Sequence, residues 1–490
     1  MTSAFRKIAR ITGIMLTVIG LAMIPPLIVA LIYGEHSSAV WFAITAGCCA
    51  IPGFILTKVL GPMTEDVKFR QRDGFLAVAL AWFIASIAGT VPIYATGSIP
   101  DIASAFFESC SGFTTTGATV VSDVEALPLS ISFFRSFAQW LGGMGIIVLA
   151  TALIPELGIE GQVIASAESP SPRLDKITSR YSETARRLYL VYIAFTVVLF
   201  VILLALGMGI YDALCTTLST VSTGGFSPYT DNIGHFASPV IRIVMIVFMI
   251  LCATNFNLFF EAKKRGLRVF LHDTEFKLYI SFLVVVTAAI AIDLIATKTV
   301  DNTADAIGQS AFHSVSIMTT SGFTTDNYDG WPVFSRVMLL LLCLTGGSSS
   351  STSCGVKVVR IAIALKLIRR SINLRLHPGR EYPLKLNGAP MPKELADETV
   401  YFILLYIMTF FVGSLFVSFS GCNLITSLSA SLSCIGNIGP GFSGIGPMYS
   451  YGSFGAVTKI ILSLMMIAGR LELFTFFMVF SPHYWNGSRS

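Results

Sequence analysis

A five-residue stretch, Thr115-Thr116-Gly117-Ala118-Thr119, comes back three times in altered form, as Ser222-Thr223-Gly224-Gly225-Phe226, Thr320-Ser321-Gly322-Phe323-Thr324 and Asn437-Ile438-Gly439-Pro440-Gly441. Aligned on Gly117, Gly224, Gly322 and Gly439, the copies stand 107, 98 and 117 residues apart. Each follows a short semi-apolar segment and is flanked by long apolar ones. The chain is therefore one unit repeated four times, and the unit reads as helix, short helix, loop and helix. Irregular backbone is tolerated at membrane depth only where protein buries it or where it lines a water-filled cavity. The four loops are expected to face a common axis, which is the plan of a pore.

Composition supplies the solvent. Of 490 residues 54% are hydrophobic and only 12% charged, against about 25% charged in water-soluble domains. Apolar runs of about 20 residues, enough to cross a hydrocarbon core of about 30 Å as helix, recur along the whole length. The fold class expected is an all-α membrane protein. The net charge of +5 reflects topology rather than a nucleic-acid partner: apart from Arg135, Arg242, Lys298, Arg336, Lys459 and Arg470, every Lys and Arg falls in the tails 1–10 and 481–490 or the connections 58–72, 155–187, 261–277 and 356–393. That bias puts both termini and these connections in the cytoplasm. The nine cysteines lie in or beside apolar segments without a Cys-x-x-Cys pattern, so neither a zinc site nor a disulfide framework is expected. The six histidines are scattered, which speaks against a membrane enzyme.

Apolar runs at 11–33 and 39–60 form an opening helix pair outside the repeat, with Pro25-Pro26 expected to kink the first. The repeats pair spans at 75–96 and 133–154, 188–207 and 239–260, 277–297 and 333–366, and 399–419 and 455–480. Their short helices are expected near 101–114, 211–221, 303–319 and 424–435, giving ten crossings in all. The resulting division is 1–70 for the accessory pair, 71–160 for repeat 1, 161–270 for repeat 2 with its cytoplasmic connection, 271–375 for repeat 3 with a broken last helix, and 376–490 for repeat 4. Of the basic connections, the one holding Arg173, Lys176, Arg180, Arg186 and Arg187 and the one holding Arg369, Arg370, Arg375, Arg380 and Lys385 suit either a solvated, headgroup-facing collar or a dock for a cytoplasmic partner.

A dehydrated potassium ion needs oxygen ligands without a counter-charge that traps it, and backbone carbonyls supply them. Turning successive carbonyls inward favours glycine at the loop centre. Hydroxyls such as Thr115, Thr116 and Thr223 can add oxygens at the inner end. The candidate ion contacts are Thr115, Thr116, Gly117, Thr223, Gly224, Gly225, Thr320, Ser321, Gly322, Phe323, Asn437, Ile438 and Gly439. External segments carry ten acids (Asp101, Glu108, Asp123, Glu125, Asp212, Asp231, Asp301, Asp305, Asp326 and Asp329) against Lys298, a mouth that concentrates cations. Asp101, Asp212 and Asp301 also stand where short helices begin and suit helix capping.

The four loops, the two-plus-eight helix plan and the basic connections resemble the Trk/Ktr/HKT superfamily of potassium transporters, and the opening pair and length are most similar to bacterial Trk-type membrane subunits. The resemblance covers essentially the whole chain. It implies four unequal pore helix and filter-loop repeats around one pseudo-fourfold pore in the bacterial cytoplasmic (inner) membrane. It also implies a homodimer, a cytoplasmic nucleotide-binding regulatory ring, tetrameric in form, and potassium ions as transported substrate with no organic cofactor. Within the superfamily, glycine at the centre of all four loops goes with potassium selectivity, and the fourth loop departs in Asn437 and Pro440. The activity implied is channel-like, potassium-selective uptake; the alternative is symport with sodium or protons, for which Asp293 and Glu472 are the intramembrane acids available.

Two further features bear on gating. The last span of repeat 3 is interrupted by Gly346-Gly347-Ser348-Ser349-Ser350-Ser351-Thr352-Ser353-Cys354-Gly355, too small and polar to hold a helix against lipid. Arg470 sits mid-span, where a charge costs at least about 2.5 kcal/mol and so faces a cavity or a partner such as Glu472. The resemblance makes the interruption an intramembrane loop below the filter and Arg470 its neighbour in the gate.

Overall fold

The computed structural model describes residues 3–61, 71–145, 181–377 and 382–481. The protein is an all-helical, multi-pass membrane protein. Helices α1 (Ser3–Ala22) and α2 (Ile24–Ile32) form one span, with Pro25 and Pro26 in the first turn of α2, where proline's missing donor leaves no bond unmade. They pack against α3 (His36–Leu60).

Each following unit opens with an unbroken helix: α4 (Gln71–Ala95), α7 (Tyr181–Ala205), α12 (Thr274–Ala296) and α16 (Lys393–Ser418). Next comes a short helix: α5 (Ile102–Phe113), α8 (Ile210–Val221), α13 (Thr303–Met318) and α17 (Leu424–Gly436), within two residues of the expected bounds. Asp101 caps α5 by accepting from Ser104 N at 3.0 Å, and the Ser104 hydroxyl, donating to the same carboxylate at 2.6 Å, holds the carboxyl below its ordinary range. The other short helices differ from expectation. Asn302, not Asp301, caps α13, Asn423 caps α17, and Asp212 lies one turn inside α8 behind Gly209.

The return helices are α6 (Leu129–Gly143), α9 (Pro239–Cys252), α14 (Val333–Cys343) and α18 (Ala456–Arg470). The sequence led to one broken return span; here the break recurs in repeats 2 and 4 as well. After α9 the chain turns by 89° into α10 (Phe256–Arg265), and after α18 it passes through Leu471, Glu472 and Leu473 into α19 (Phe474–Phe480). Asn255 caps α10 through Asn257 N, and Glu472 and Leu473 both take left-handed backbone, so neither segment continues its helix. The return of repeat 1 is described only to Gly145, and the remainder of the span expected to 154 lies outside the described residues. Among the described residues six helices are long and apolar enough to cross a membrane unbroken, seven with the bent pair.

The units interlock in a cycle. Helix α5 packs on α18 of repeat 4, α8 on α6 of repeat 1, α13 on α9 of repeat 2, and α17 on α14 of repeat 3. Two return helices also receive a cap from a different element. Glu35, between α2 and α3, accepts from Leu129 N at 2.6 Å, Ser130 N at 3.1 Å and the Ser130 hydroxyl. Asp293 of α12 accepts from Ser335 N at 3.2 Å and its hydroxyl at 2.6 Å.

Helix α11 (Arg268–His272) precedes α12, and after α15 (Val358–Leu376) a hairpin pairs β1 (Lys385–Leu386) with β2 (Ala389–Pro390). Its turn, Asn387-Gly388, has positive φ at both residues as a tight two-residue turn requires. Asn387 ties the hairpin to Thr274 N and Asp273. Arg173, Lys176, Arg180 and Arg380 lie outside the described residues.

Glu35 satisfies first-turn donors that have no helical partner. Glu35→Ala is expected to lower stability by about 1–2 kcal/mol, read as an earlier thermal unfolding transition of the detergent-solubilised protein, whereas Glu35→Gln keeps an acceptor and loses less.

Candidate functional site

The four Gly/Thr loops begin at the C-terminal ends of the short helices, and all four leave the helix in the same way. The first loop residue takes left-handed backbone without being glycine: Thr115 (φ 56°), Thr223 (φ 54°), Thr320 (φ 57°) and Asn437 (φ 52°). The next residue donates its N–H back to a serine carbonyl of the helix, Thr116 to Ser111, Gly224 to Ser219, Ser321 to Ser316 and Ile438 to Ser433, at 2.8 to 3.0 Å. Glycine is the usual residue at such a helix end. Three threonines there keep side-chain oxygens at a conformation that disfavours β-branched residues, while Asn437 is of a type that tolerates it.

This pattern corrects the register of the second loop. The position equivalent to Thr116 is Gly224, and the left-handed glycines in line are Gly117 (φ 77°), Gly225 (φ 81°), Gly322 (φ 68°) and Gly439 (φ 102°). With two adjacent glycines, the sequence alignment settled on the first; the hydrogen-bond register selects the second.

These glycines close a ring. A Cβ on Gly117 would strike Gly224 O, one on Gly225 would strike Ser321 O, one on Gly322 Ile438 O, and one on Gly439 would stand 2.6 Å from Thr116 O. Each loop thus presses its bare Cα against a carbonyl of the next, and the fourth returns to the first. Asn437 reinforces that closure, its Nδ2 donating to Thr116 Oγ1 at 2.9 Å and to Met466 O at 3.0 Å. The Thr116 hydroxyl is therefore engaged between loops, with the Thr114 hydroxyl at 2.8 Å. Phe323 O and Gly439 O turn back to Ser316 and Ser433 of their own short helices.

Directly beneath lies the small-residue loop between α14 and α15, its neck closed by a bridge between Thr345 and Val356 and by Gly346 N donating to Val356 O. Gly347, Ser348 and Gly355 are buried with most of it. Ser348 N donates to Ala253 O at 2.8 Å, the Thr352 hydroxyl to Cys252 O at 3.1 Å, and Phe256 N to Ser350 O at 3.2 Å, so the loop fills the break of repeat 2. Glu275 holds it from the side, accepting from Ser349 N at 2.6 Å and the Ser349 hydroxyl at 2.7 Å. The loop meets the ring through the left-handed threonines: Cys354 N donates to Thr320 Oγ1 at 3.0 Å, and Thr223 Oγ1 reaches Thr352 Oγ1 at 3.4 Å.

Arg470 ties these parts together. Its guanidinium donates to Gly142 O at 2.5 Å, Gly143 O at 2.6 Å, Thr352 O at 3.1 Å, Cys354 Sγ at 2.9 Å and Thr115 Oγ1 at 3.3 Å. It does not pair with Glu472, which instead binds Arg360 at 2.5 Å. Arg360 and Lys357 were assigned to a cytoplasmic basic connection; both are buried beside the loop, Arg360 also stacking on Phe402 at 3.8 Å. Glu108 likewise leaves the acidic mouth: it is buried in an ion pair with Arg135 at 2.8 Å and accepts from Val120 N at 2.9 Å at the outer flank of the first loop.

A multi-pass helical protein whose interrupted helices converge beneath a closed ring of backbone oxygens is a membrane transport protein. A family model described as TrkH, cation transport protein, matches residues 50–486, and the chain belongs to that family. It is 35% identical to the Trk system potassium uptake protein TrkH of Vibrio parahaemolyticus, over 98% of this chain and 99% of that one. It is 34% identical to TrkH of Salmonella typhimurium with the same coverage, and 31% identical to the Trk system potassium uptake protein TrkG of Escherichia coli over 99% of each chain. The crystal structure of the potassium transporter TrkH from Vibrio parahaemolyticus superposes with a TM-score of 0.87 at 33% identity, covering 99% of this chain and all of that one.

Sequence reading placed Thr352 and Cys354 in the interruption without partners for them, and missed Glu275 and Arg360. The contacts of Glu275 lie within repeat 3 but some 74 to 84 residues along the chain, that of Arg360 is with Glu472 of repeat 4, and only Arg360, a cation close behind a broken span, carried a local signal. For the Glu108–Arg135 pair, Arg135→Ala leaves a buried carboxylate uncompensated and is expected to cost about 3–5 kcal/mol. The measurement is the thermal transition and the monodisperse fraction on size exclusion, and Glu108→Gln in the same chain is expected to recover part of the loss.

Proposed function

We propose that the protein carries potassium selectively and in channel-like fashion across the bacterial cytoplasmic membrane, through one pseudo-fourfold pore. The observation that carries this reading is the closed ring of loop backbone: Thr116, Gly224, Ser321 and Ile438 offer neutral carbonyl oxygens in place of a hydration shell. Four short helices end at the ring, and the partial negative charge of each C-terminus, about half an elementary charge, favours a cation there. The ion contacts are the residues of the four loops, Thr115–117, 223–225, 320–323 and 437–439, with Gly225 rather than Gly224 at the close-contact position. The domain division is an accessory pair at 1–70 and four pore repeats at 71–160, 161–270, 271–375 and 376–490. Uptake is driven by the membrane potential, about 2.3 kcal/mol per unit charge per 100 mV. Asp293 and Glu472, the acids available for coupling, are committed to Ser335 and Arg360, which supports an uncoupled pathway.

The small-residue loop with Gly346, Gly347, Ser348 and Gly355 is the gate, and Arg470 is its latch, since a fixed cation bonded to loop and ring repels a passing ion in this arrangement. Opening requires a second arrangement that a ligand binds better. A tetrameric cytoplasmic nucleotide-binding ring supplies that preference, acting on a homodimer whose termini are cytoplasmic; the relatives named for the Trk system support a multi-subunit assembly.

Purified protein in liposomes is expected to pass potassium and rubidium and to discriminate against sodium. Gly117→Ser, placing a side chain against Gly224 O at φ 77°, should lower that discrimination by roughly tenfold, about 1.4 kcal/mol. Arg470→Ala is expected to raise basal potassium flux with the potassium-to-sodium ratio nearly unchanged. Equal sodium and potassium flux in the unmodified protein refutes the reading of the ring.

A further inference from the structure

At the ring position three loops carry a side chain, Thr116, Ser321 and Ile438, while the second carries Gly224 followed by Gly225. Two glycines in a row give this quarter of the ring the backbone with most conformational freedom to lose. The room beside Gly224 is nevertheless filled. A Cβ built on Gly224 would stand 2.5 Å from Oε1 and 2.8 Å from Nε2 of Gln139, so this buried carboxamide, on α6 of repeat 1, occupies the place of the missing side chain. It also holds the loop by both of its polar atoms. Nε2 donates to Gly224 O at 2.6 Å, and Oε1 accepts from Phe226 N at 3.1 Å. Among the described residues no donor reaches Thr116 O, Ser321 O or Ile438 O, so the tether belongs to the second quarter alone.

A carbonyl oxygen has two lone pairs, and one donor leaves the other for an ion. A smaller ion is bound well only if the ring oxygens move inward, and the quarter that gives way first is the one with least steric restraint. Resting on the reading of the ring as a potassium site, we infer that Gln139 is a positioning residue for ion selectivity: its carboxamide replaces in trans the side chain that Gly224 lacks and keeps the Gly224 carbonyl from closing on sodium. Gln139 touches no ion. It acts only through the second loop.

The test uses the full-length protein in liposomes with potassium and sodium fluxes compared. Gln139→Leu keeps the volume and removes both bonds, and is expected to lower the potassium-to-sodium ratio roughly fivefold to tenfold, as the loss of a buried hydrogen bond implies, with potassium flux retained. Gln139→Ala empties the site and gives the same comparison if the leucine protein fails to fold. Gly224 is not in left-handed backbone, so it accepts a Cβ once the room is free. Gln139→Ala combined with Gly224→Ala is therefore expected to recover a large part of the ratio, a rescue that a merely structural role for Gln139 does not produce. A wild-type ratio in Gln139→Leu or Gln139→Ala, or a double variant no better than Gln139→Ala, overturns the inference. Absence of any potassium preference in the unmodified protein is a separate outcome that removes the underlying reading of the ring.

Discussion

A helix that stops inside a membrane leaves up to four carbonyl groups without partners, and hydrocarbon offers none. Three return helices end this way in the described residues, and a fourth, α6, ends in Gly142 and Gly143. Two of these ends are completed by a different unit. The carbonyls of Gly142 and Gly143 accept from Arg470 of repeat 4, and those of Cys252 and Ala253 accept from the small-residue loop of repeat 3. The ends of α6 and α9 therefore lie against Arg470 and the small-residue loop, beneath the ring. Arg470 is tolerated at this depth for the same reason, since five acceptors surround its half-buried guanidinium.

The ring above depends on that layer. Thr115, Thr223 and Thr320 hold left-handed backbone that threonine disfavours, and their hydroxyls are met from below by Arg470, Thr352 and Cys354 N. Strain of this kind persists where the surroundings over-determine it. Ring and loop are thereby coupled by side-chain hydrogen bonds, so a movement of the loop changes the partners of the threonines without touching the carbonyls next to them.

Much of this was legible in the sequence because it is periodic. The four short helices, the four loops and the opening pair follow from apolar run lengths and recurring Gly/Thr, and the ten-residue run from Gly346 to Gly355 marked itself as non-helical by composition. What escaped was set by contacts between distant segments. Nothing local distinguishes Gly225 from Gly224 until the Ser219 carbonyl fixes the register. The breaks after α9 and α18 are made by one or two residues, Asn255 and the Glu472-Leu473 pair, within otherwise apolar runs. Lys357 and Arg360 read as cytoplasmic by charge, and only the fold brings Glu472 and Phe402 to Arg360. The Asn387-Gly388 turn, by contrast, was a local signal that went unused.

The ring is built from one chain, and its quarters are unlike: a threonine, a glycine, a serine and an isoleucine share the same place. In an assembly of four identical subunits every substitution arrives fourfold, so a change costing 1 kcal/mol in one quarter is applied at once to all. Here mutation samples the ring one quarter at a time, in steps a quarter as large. A chain with this architecture can drift through intermediate ring chemistries that a symmetric tetramer has to cross in a single move.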